Sequence, residues 1–471
     1  MRAALAAELA RLVGPRWVRE RAAELAAYEA DGLPTHASRP ALAVIPGSRR
    51  ELIAVIRLLH HAAVPFVARG AGTGLSGGAL ADADAVLVVL TRLDRILHVD
   101  PVRRRAVVEP GVVNARLSAA ALPHGLHYAP DPSSQSACTL GGNVAENAGG
   151  PHCLKYGVTT NHVAALEVLL PDGRLVRLGS RSSEAWGPDL VGLFVGSEGM
   201  FGIATEITLR LEPVPAGVHT LLAAFASIRE ASEAVSGIIA AGIVPAAMEM
   251  MDQACIRAVE ASIYAAGYPA DAAAVLLVEV DGSPESAREE AALVEALLRR
   301  HRATEVRTAT AAPERARLWQ GRKKAFGAMG RIAPDLAVQD AVVPRSALPD
   351  ILDRVAAIAA AYRLDVANVF HAGDGNLHPN ISFDSRDPDM VARVHAANHD
   401  IMHACLAAGG SITGEHGVGS DKLEYMPAAF DADTLGAMRA VRQVFDPALR
   451  ANPGKVIPTH ACREWRRGRP R

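Results

Sequence analysis

Two short segments near the C-terminal end of the chain carry the residues best suited to acid–base or metal chemistry. Residues 371–378 read HAGDGNLH, with a histidine at each end, and residues 414–417 read GEHG. Imidazole titrates near neutral pH and is a common metal ligand, and carboxylates complete many divalent-metal sites. The two segments therefore predict proton transfer, metal binding or both.

The spacing of the first segment predicts a β-hairpin. Asp374-Gly375 is a strong signal for a two-residue turn. Such a turn would pair His371 with His378, and Cβ atoms of opposed residues lie about 4.5–5.5 Å apart on one face. Both imidazoles would then converge on one metal ion or one substrate. The alternative is a structural pair of hydrogen-bonded histidines, and a longer loop would change the register.

The GEHG segment predicts a general base. Adjacent residues of a regular strand point to opposite faces, so Glu415 and His416 can serve one site only if the chain turns there. Glycines at 414, 417 and 419 permit that turn. His416 is the predicted base; the alternative is a turn residue without a chemical role.

A third segment, RGAGTGLSGG at residues 69–78, is suited to binding phosphate. It contains the pattern GxGxxG, but only eight residues separate Gly77 from the next predicted strand at Val86. A dinucleotide-binding Rossmann unit needs a helix of several turns there. We expect instead an anion site made of backbone N–H groups, with a flexible turn as the alternative.

The elements that must position these segments follow from periodicity and turn residues. We expect a helix from residue 1 to about 31, a helix over 48–61 with apolar residues at helical spacing, and a strand before the glycine loop. The segment 129–157 is too long and glycine-rich for a connector and should line a site. Asp172-Gly173 predicts a hairpin. After residue 215, strands and helices alternate as in a split βαβ sheet with helices on one face.

Composition sets the outer limits. The chain has 471 residues, 50% of them hydrophobic and 21% charged, with a net charge of -2. This balance argues against a nucleic-acid partner. No apolar run reaches the ~18 residues of a membrane span, and five scattered cysteines support neither disulfides nor an iron–sulfur cluster in this chain. We expect a cytoplasmic protein whose basic C-terminal tail is solvated or touches a membrane or partner. The tail's arginines are Arg463, Arg466, Arg467, Arg469 and Arg471.

Taken together, the ordered motifs resemble a family of flavoproteins. PFVARGAGTGLSGG, DPSSQSACTLGGNVAENAGG followed by LKYG, GSEGMFGI, HAGDGNLHP, SITGEHG and NPGK are similar to the vanillyl-alcohol-oxidase-type flavoproteins. Within them the likeness is greatest to the FAD-linked glycolate oxidase subunits, with D-lactate and D-2-hydroxyglutarate dehydrogenases as relatives. The resemblance implies an α+β fold with an FAD-binding domain of this type, a ferredoxin-like substrate (cap) domain and a C-terminal helical segment. It implies boundaries at 1–36 (N-terminal helical), 37–215 (FAD-binding), 216–410 (cap) and 411–471 (returning to the flavin).

The resemblance also implies site residues around a non-covalently bound FAD. Those placed against the phosphates are Arg69, Gly70, Gly72, Thr73, Gly74, Leu75, Ser76 and Gly77. Those placed near the flavin are Pro130, Thr139, Gly142, Asn143, Asn147, Gly149 and Tyr156, with Gly199, Gly202 and Ile203 on its adenine or ribitol side and Asn452 as a further contact. Covalent attachment through His152 or Cys153 is the less favoured alternative.

The implied reaction is oxidation of a small 2-hydroxy acid to the 2-oxo acid by hydride transfer to flavin N5. Relatives place a base at His416, an arginine for the substrate carboxylate at Arg322, and a zinc- or manganese-type site at His371, His378 and Glu415. Where relatives that accept dicarboxylates carry a hydroxyl and a lysine, this chain has Phe326 and Val338, which favours glycolate or D-lactate.

The expected partners are a second FAD-binding subunit and an iron–sulfur subunit, with electrons passing to them or to a quinone. Through such partners the protein would reach the inner face of a membrane. Three alternatives stay open: a D-lactate dehydrogenase acting alone, an NAD-dependent Rossmann dehydrogenase, and a catalytically silent flavin-binding subunit.

Overall fold

The computed structural model of the chain describes residues 2–33, 35–180 and 187–458. The contacts between residues divide the chain into two compact units. Unit 1 contains residues 1–149, 157–214 and 415–471, and unit 2 contains residues 150–156 and 215–414. The basic C-terminal tail lies outside the described residues.

Within the described residues the chain forms 17 α-helices and 20 strands. The helices are α1 (Arg2–Val13), α2 (Ala22–Leu25), α3 (Arg49–His61), α4 (Asn114–Ala121), α5 (Leu140–Glu146), α6 (Cys153–Tyr156), α7 (Thr159–His162), α8 (Leu190–Phe194), α9 (Ile228–Ala240), α10 (Gln253–Glu260), α11 (Pro284–Arg300), α12 (Ala312–Lys323), α13 (Ala325–Met329), α14 (Leu348–Ala361), α15 (Pro388–Ala407), α16 (Met426–Ala429) and α17 (Ala432–Phe445). The strands are β1 (Val18–Arg19), β2 (Leu42–Val44), β3 (Phe66–Arg69), β4 (Val86–Val89), β5 (Ile96–Asp100), β6 (Arg105–Val108), β7 (Leu126–His127), β8 (Val163–Leu169), β9 (Leu175–Gly179), β10 (Ile203–Arg210), β11 (Glu212–Pro213), β12 (Gly217–Phe225), β13 (Ala247–Asp252), β14 (Ala274–Gly282), β15 (Glu305–Ala309), β16 (Asp335–Val338), β17 (Ala341–Val342), β18 (Val366–His371), β19 (Asn376–Leu377) and β20 (Pro379–Phe383).

The first sheet of unit 1 has the strand order β1-β2-β4-β3, with β2, β4 and β3 parallel. The strands β2 and β4 are fully buried, as expected for a parallel sheet covered on both faces. Helix α3 begins at the N-cap Ser48, whose side chain accepts from the amide of Glu51, and it buries Leu52, Val55, Ile56 and Leu59. This helix confirms the predicted one.

The N-terminal region differs from the single helix predicted. Helix α1 ends at Val13, and the chain then passes through Gly14 at φ +88° and Pro15. A glycine in this conformation followed by proline ends a helix, because proline cannot donate the next backbone hydrogen bond. Residues 18–19 instead form β1, which pairs antiparallel with β2. The prediction of one continuous helix over residues 1–31 was wrong.

The second sheet of unit 1 is antiparallel, with the order β5-β6-β10-β8-β9. Its core includes Leu140 and Val144 of α5 and Phe194 of α8. The predicted Asp172-Gly173 turn joins β8 to β9, and Gly173 has φ +84°. Gly173 therefore occupies the position of this turn that needs a glycine, as the sequence indicated.

Unit 2 is built on a sheet whose first four strands lie in the order β15-β12-β14-β13. All three pairings are antiparallel, so α9 links β12 to β13 across the intervening β14, which is the split βαβ arrangement predicted. Residues 220–225 of β12 are all buried, and a strand buried on both faces needs cover on each. Helices α9 and α11 contact β12 and β14. Helices α10, α12 and α13 share a core with Leu222 and Leu277 that contains no residue of α9 or α11, so they cover the other face. The expectation that helices lie on one face only was wrong.

The hairpin that carries the two histidines has a longer turn than predicted. His371 pairs with Asn376, and Asn368 pairs with Pro379, so four residues form the turn. The predicted direct pairing of His371 with His378 is therefore wrong. The observed register differs by two residues, and a shift of two keeps every side chain on its original face. Both histidines still share one face of the hairpin.

Within residues 2–33, 35–180 and 187–458, no helix has the length and apolar character needed to cross a membrane.

Candidate functional site

The glycine loop of unit 1 connects β3 to β4 without a helix. Residues 70–85 are irregular, and β3 and β4 lie side by side in parallel. Gly72 and Gly77 have φ +72° and +73°, a conformation that side chains other than glycine rarely adopt. The loop therefore has no Rossmann-type helix, as predicted from the short spacing.

Buried polar atoms around this loop need a partner. Arg69 is only 7% exposed; its Nη2 donates to the carbonyl of Ala30 at 2.8 Å, while Nη1 has no hydrogen-bond partner in the described structure. Burial lowers the pKa of Arg69. The hydroxyl of Ser76 is fully buried and also without a partner there. A buried cation and a hydroxyl in this state fit a ligand that brings phosphate oxygens.

The second predicted segment contains a short helix rather than loop alone. Thr139 caps α5 by accepting from the amide of Gly142 at 3.3 Å, and Asn147 ends the helix at φ +54°. The side chain of Asn114 donates to Asn143 Oδ1 and to the carbonyl of Pro130, both at 3.0 Å. Three residues predicted to face the flavin, at 130, 139 and 143, are thus fixed by hydrogen bonds.

Asn452 belongs to the same part of unit 1. It is 2% exposed and adopts φ +41°, and its Nδ2 donates to the carbonyls of Gly78 at 2.9 Å and Glu198 at 2.6 Å. Its Oδ1 is buried and accepts no hydrogen bond within the described residues. The side chain joins the glycine loop to the turn at 196–199 and leaves an acceptor that suits a ligand with donor groups. Gly199 lies next to it, and Gly202 directly precedes Ile203, the first residue of β10.

Tyr156 is the one predicted flavin contact that belongs to unit 2. Its hydroxyl donates to Asp281 Oδ2 at 2.6 Å, and Lys155 pairs with the same carboxylate. His152, considered for covalent attachment, lies 3.2 Å from Glu279 through Nε2 and packs on Trp319 with ring centroids 5.5 Å apart. These contacts hold α6 on strand β14 of unit 2.

His371 and His378 of unit 2 are brought together. Their ring centroids are 5.3 Å apart in an edge-to-face arrangement, and both side chains are buried. Nδ1 of His371 lies 2.6 Å from Glu249 Oε1, and Nδ1 of His378 lies 2.9 Å from the carbonyl oxygen of Gln339. Since a carboxylate and a carbonyl only accept hydrogen bonds, each Nδ1 carries a proton.

This proton placement prepares both rings for metal binding. A neutral imidazole protonated on Nδ1 presents its lone pair on Nε2. Metal-binding histidines commonly donate their second ring N–H to a carboxylate or a backbone carbonyl, which fixes the ring. The donor pattern of His371 and His378 therefore fits a divalent cation.

Arg322 shares Glu249 with His371. Its Nε and Nη2 donate to Glu249 Oε2 at 2.7 and 2.5 Å, and Arg322 and Glu249 are 1% and 0% exposed. An ion pair buried in this way holds the guanidinium rigidly. Glu249 was not among the residues predicted from sequence, although a glutamate inside the apolar segment AAMEMM is itself a signal of a buried charge with a partner.

Glu415 and His416 belong to unit 1. His416 Nε2 lies 3.8 Å from Glu415 Oε1, and both side chains are mostly buried. Gly417 and Gly419 have φ +86° and +51°, so the chain turns directly after His416, as the glycines predicted. The metal set of His371, His378 and Glu415 draws on both units and stays a prediction.

The two positions used to predict substrate size lie in unit 2. Phe326 is part of α13 and packs at the edge of the core that contains Leu222 and Leu277. Val338 is the last residue of β16 and is half-buried, opposite Asn380 of β20.

Comparison with protein families gives two matches that together cover most of the chain. Residues 40–179 match the model described as FAD binding domain, and residues 214–456 match that of FAD linked oxidases, C-terminal domain. A protein named glycolate oxidase subunit GlcD from Escherichia coli (strain K12) is 49% identical over 94% of this chain and 89% of its own length. Its namesake from Bacillus subtilis (strain 168) is 38% identical over 96% and 97%. A mitochondrial D-lactate dehydrogenase [cytochrome] from Arabidopsis thaliana is 31% identical over 90% and 74%.

Solved structures with the same fold are more distant in sequence. p-Cresol methylhydroxylase with bound substrate gives a TM-score of 0.81 at 16% identity, covering 96% of each chain. A 4-ethylphenol oxidase from Gulosibacter chungangensis gives 0.79 at 18% identity, covering 98% of each. Together with the FAD binding domain match of residues 40–179, these likenesses confirm the predicted fold class.

Proposed function

This chain belongs to the family of FAD-linked oxidases, and from that premise we propose that it oxidises a small 2-hydroxy acid to the 2-oxo acid with bound FAD. The observation that carries the proposal is the buried row Arg322, Glu249 and His371, with His378 beside it. Such a row offers a fixed cation for a carboxylate and imidazoles for a neighbouring hydroxyl. Those are the two functional groups of a 2-hydroxy acid.

FAD, when bound, supplies the acceptor for the hydride that leaves the substrate Cα. The residues that would hold it are those of the glycine loop, of α5 and its flanks, and of the turn before β10, with Asn452. Arg69 and Ser76 bring a buried cation and a hydroxyl to the phosphates. Backbone N–H groups of the loop complete the contacts without a long helix.

The protein's part in the reaction is to bind the acid and remove a proton. Since Nε and Nη2 of Arg322 face Glu249, a substrate carboxylate would approach from the Nη1 side of the guanidinium. His416 takes the hydroxyl proton on an imidazole nitrogen, because imidazole as a side-chain type is suited to proton transfer near neutral pH. The proton must leave the hydroxyl as the Cα hydrogen departs. His416 as the base and Arg322 as the carboxylate-binding residue would therefore act on the same substrate molecule.

A divalent cation, zinc or manganese, is part of the proposal. His371 and His378 would bind it through Nε2, with Glu415 as the third ligand predicted from sequence. Two imidazoles and one carboxylate leave open positions for the substrate. The cation would lower the pKa of the substrate hydroxyl, so that a base of ordinary strength suffices.

The proposed substrate is a monocarboxylate, glycolate or D-lactate. Phe326 and Val338 offer no group to bind a second carboxylate. The relatives named glycolate oxidase subunits also support glycolate, and those named D-lactate dehydrogenases support the second candidate, an enzyme acting alone on D-lactate. A catalytically silent flavin-binding subunit would not need the buried histidine pair.

Partners follow from the same relatives, whose names call them subunits. We expect a second FAD-binding subunit and an iron–sulfur subunit that receive the electrons or pass them to a quinone. The protein would then be cytoplasmic and reach a membrane surface through these partners.

The test is anaerobic reduction of the flavin in the FAD-loaded protein. Glycolate, D-lactate, L-lactate and D-2-hydroxyglutarate are added separately, before and after treatment with a chelator. Glycolate or D-lactate should bleach the flavin band, and chelator should slow bleaching until zinc or manganese is restored. A flavin that stays oxidised with every acid would contradict the proposed function; insensitivity to chelator would contradict only the metal.

A further inference from the structure

The carboxyl groups of Glu146 and Glu198, both in unit 1, lie between the glycine loop and the segment after His416. A Cβ on Gly417 would lie 2.3 Å from Glu146 Oε2 and 2.7 Å from Glu198 Oε1. A Cβ on Gly78 would lie 3.0 Å from Glu146 Oε1 and 3.5 Å from Glu198 Oε2. Each carboxyl group therefore reaches both segments, and the two groups are near neighbours.

Glu198 is held rigidly by its backbone. It adopts φ +48°, which is a strained conformation for a residue other than glycine and persists only where the surroundings enforce it. Its N–H donates to the carbonyl of Ala145 at 2.8 Å, and its carbonyl accepts from Asn452 Nδ2 at 2.6 Å. A strained residue fixed at both ends aims its side chain in one direction.

The Glu198 carboxylate fixes the segment that follows His416. Oε1 accepts from the amide of Val418 and Oε2 from the amide of Gly419, each at 2.7 Å. Hydrogen bonds to an ionised carboxylate are about twice as strong as neutral ones. Two of them on consecutive amides determine where the chain runs directly after His416.

Glu146 has a different environment. Its Oε2 is shielded from solvent and has no hydrogen-bond partner in the part of the chain that the structure describes. The buried hydroxyl of Ser76, also without a partner there, lies 3.5 Å from the same Cβ position at Gly78. An ionised oxygen left in this state is costly, whereas a protonated carboxyl can donate to a neighbouring acceptor.

Burial and proximity act on the titration of the pair. Burial raises the pKa of Glu146, and the neighbouring Glu198 and Asp31 raise it further. Burial also raises the pKa of Glu198 to about 7, against the lowering effect of its two backbone hydrogen bonds and of Lys422 and Lys455. Two adjacent buried carboxyl groups of this kind retain a proton more readily than they release both.

We propose that Glu146 and Glu198 share one proton and act as positioning residues for His416. The ionised Glu198 holds Val418 and Gly419, and the protonated Glu146 spares the site a second buried negative charge. A second proton at low pH would weaken the hydrogen bonds that Glu198 accepts from the amides of Val418 and Gly419. Loss of the shared proton at high pH would leave two negative carboxylates that repel each other. This inference rests on the proposed function only through the role of His416.

The experiment uses the full-length, FAD-loaded protein and the variants Glu146→Gln and Glu198→Gln. The control is Glu109→Gln, a buried glutamate of unit 1 that is paired with Arg95. Amide exchange of a peptide spanning residues 415–419 is measured from pH 6 to 9 and corrected for intrinsic rates. Anaerobic flavin reduction by glycolate or D-lactate is measured over the same range.

Glu198→Gln should lower protection at 418–419 and slow flavin reduction, each by about tenfold or more, while FAD stays bound. The glutamine side chain has only one oxygen that can accept a hydrogen bond. Its NH₂ group would face the second backbone N–H, and two donors cannot bond to each other. In the unmodified protein, flavin reduction should slow at high pH as the shared proton is lost. Glu146→Gln, a mimic of the protonated acid, should keep the protection of the amides at 418–419 and should not show this slowing at high pH. The control should match the unmodified protein.

Unchanged protection in Glu198→Gln would overturn the proposal, as would an unaltered alkaline decline in Glu146→Gln, which tests the pair even if Glu198→Gln fails to fold. Lower protection with undiminished flavin reduction would also overturn it, because the segment would not position the base. None of these results removes the proposed function, which fails separately if the unmodified protein shows no flavin reduction.

Discussion

At the scale of single residues, the chemistry depends on which atom of each side chain holds a proton. His371 and His378 are fixed with their protons on Nδ1 by Glu249 and by the carbonyl of Gln339. Arg322 is held by the same glutamate. One carboxylate therefore orients both an imidazole and a cation, and its removal should affect metal and substrate together.

Glu249→Gln should lower the content of bound metal and slow flavin reduction by about 10–100-fold. The amide nitrogen would donate to Nδ1 of His371 and so move the ring proton to Nε2, and the charge of Arg322 would lose its partner. Metal analysis and anaerobic reduction measure both effects. Asp252→Asn, a buried acid on the same strand, is the matched control. A Glu249→Gln protein with full metal content would show that the glutamate does not set the proton position.

His416→Ala should abolish bleaching of the flavin by substrate, with a loss of about 10²–10⁴-fold in rate, while the protein remains yellow. General-base removal costs this much because the hydroxyl proton no longer has an acceptor. The exposed His124→Ala serves as control. Rapid bleaching in His416→Ala would remove this histidine from the role of base.

At the scale of elements, the glycine loop joins β3 to β4 where a Rossmann-type dinucleotide site would have a helix. Its glycines differ in what surrounds them. A Cβ on Gly72 would collide with the guanidinium of Arg69, whereas a Cβ on Gly74 would meet no protein atom within 4 Å. The space beside Gly74 is therefore available to a ligand, and substitution there separates ligand contact from folding.

Gly74→Ala should leave the Tm of the apoprotein almost unchanged and raise the Kd for FAD by about tenfold or more, because the methyl group would occupy space next to the phosphates. Titration of apoprotein with FAD measures the change. Gly436→Ala on α17, where a Cβ also meets nothing within 4 Å, should leave FAD affinity intact and stabilise the helix by up to about 1 kcal/mol. Equal affinities in the two variants would place the phosphates elsewhere.

At the scale of the whole molecule, buried carboxyl groups link stability to pH. The pKa of Glu198 is raised by burial to about 7, above the value it has in an unfolded chain. The folded state then binds more protons between about pH 4.5 and 7, so stability decreases as pH rises through that window. A buried carboxylate of this kind lowers the stability of the folded state at neutral pH, as is common where function requires such a group.

The free energy of unfolding of the apoprotein should therefore fall from pH 5 to pH 8, with up to about 3 kcal/mol of the fall due to Glu198. Urea unfolding at a series of pH values measures it. In Glu198→Gln this part of the slope should be missing, while Glu109→Gln should keep it. A steeper decline in Glu198→Gln would mean that the carboxylate is stabilised by folding rather than destabilised.

The sequence by itself determined those features that depend on local chemistry. The eight residues after Gly77 excluded a helix, apolar spacing fixed α3, and the glycines around His416 predicted a turn. The order of strands and helices after residue 215 predicted the split βαβ sheet. Each of these depends on local backbone conformation, on periodicity or on the order of consecutive elements, and the amino-acid sequence contains that information directly.

Only the tertiary structure decided which distant side chains meet. Glu249 joins Arg322 and His371 across 73 and 122 residues of sequence, and Glu198 binds Val418 across 220. The register of the histidine hairpin was also decided there, by pairing over a longer turn than Asp374-Gly375 suggested. Such pairings depend on packing between elements far apart in the chain, and no local pattern specifies them.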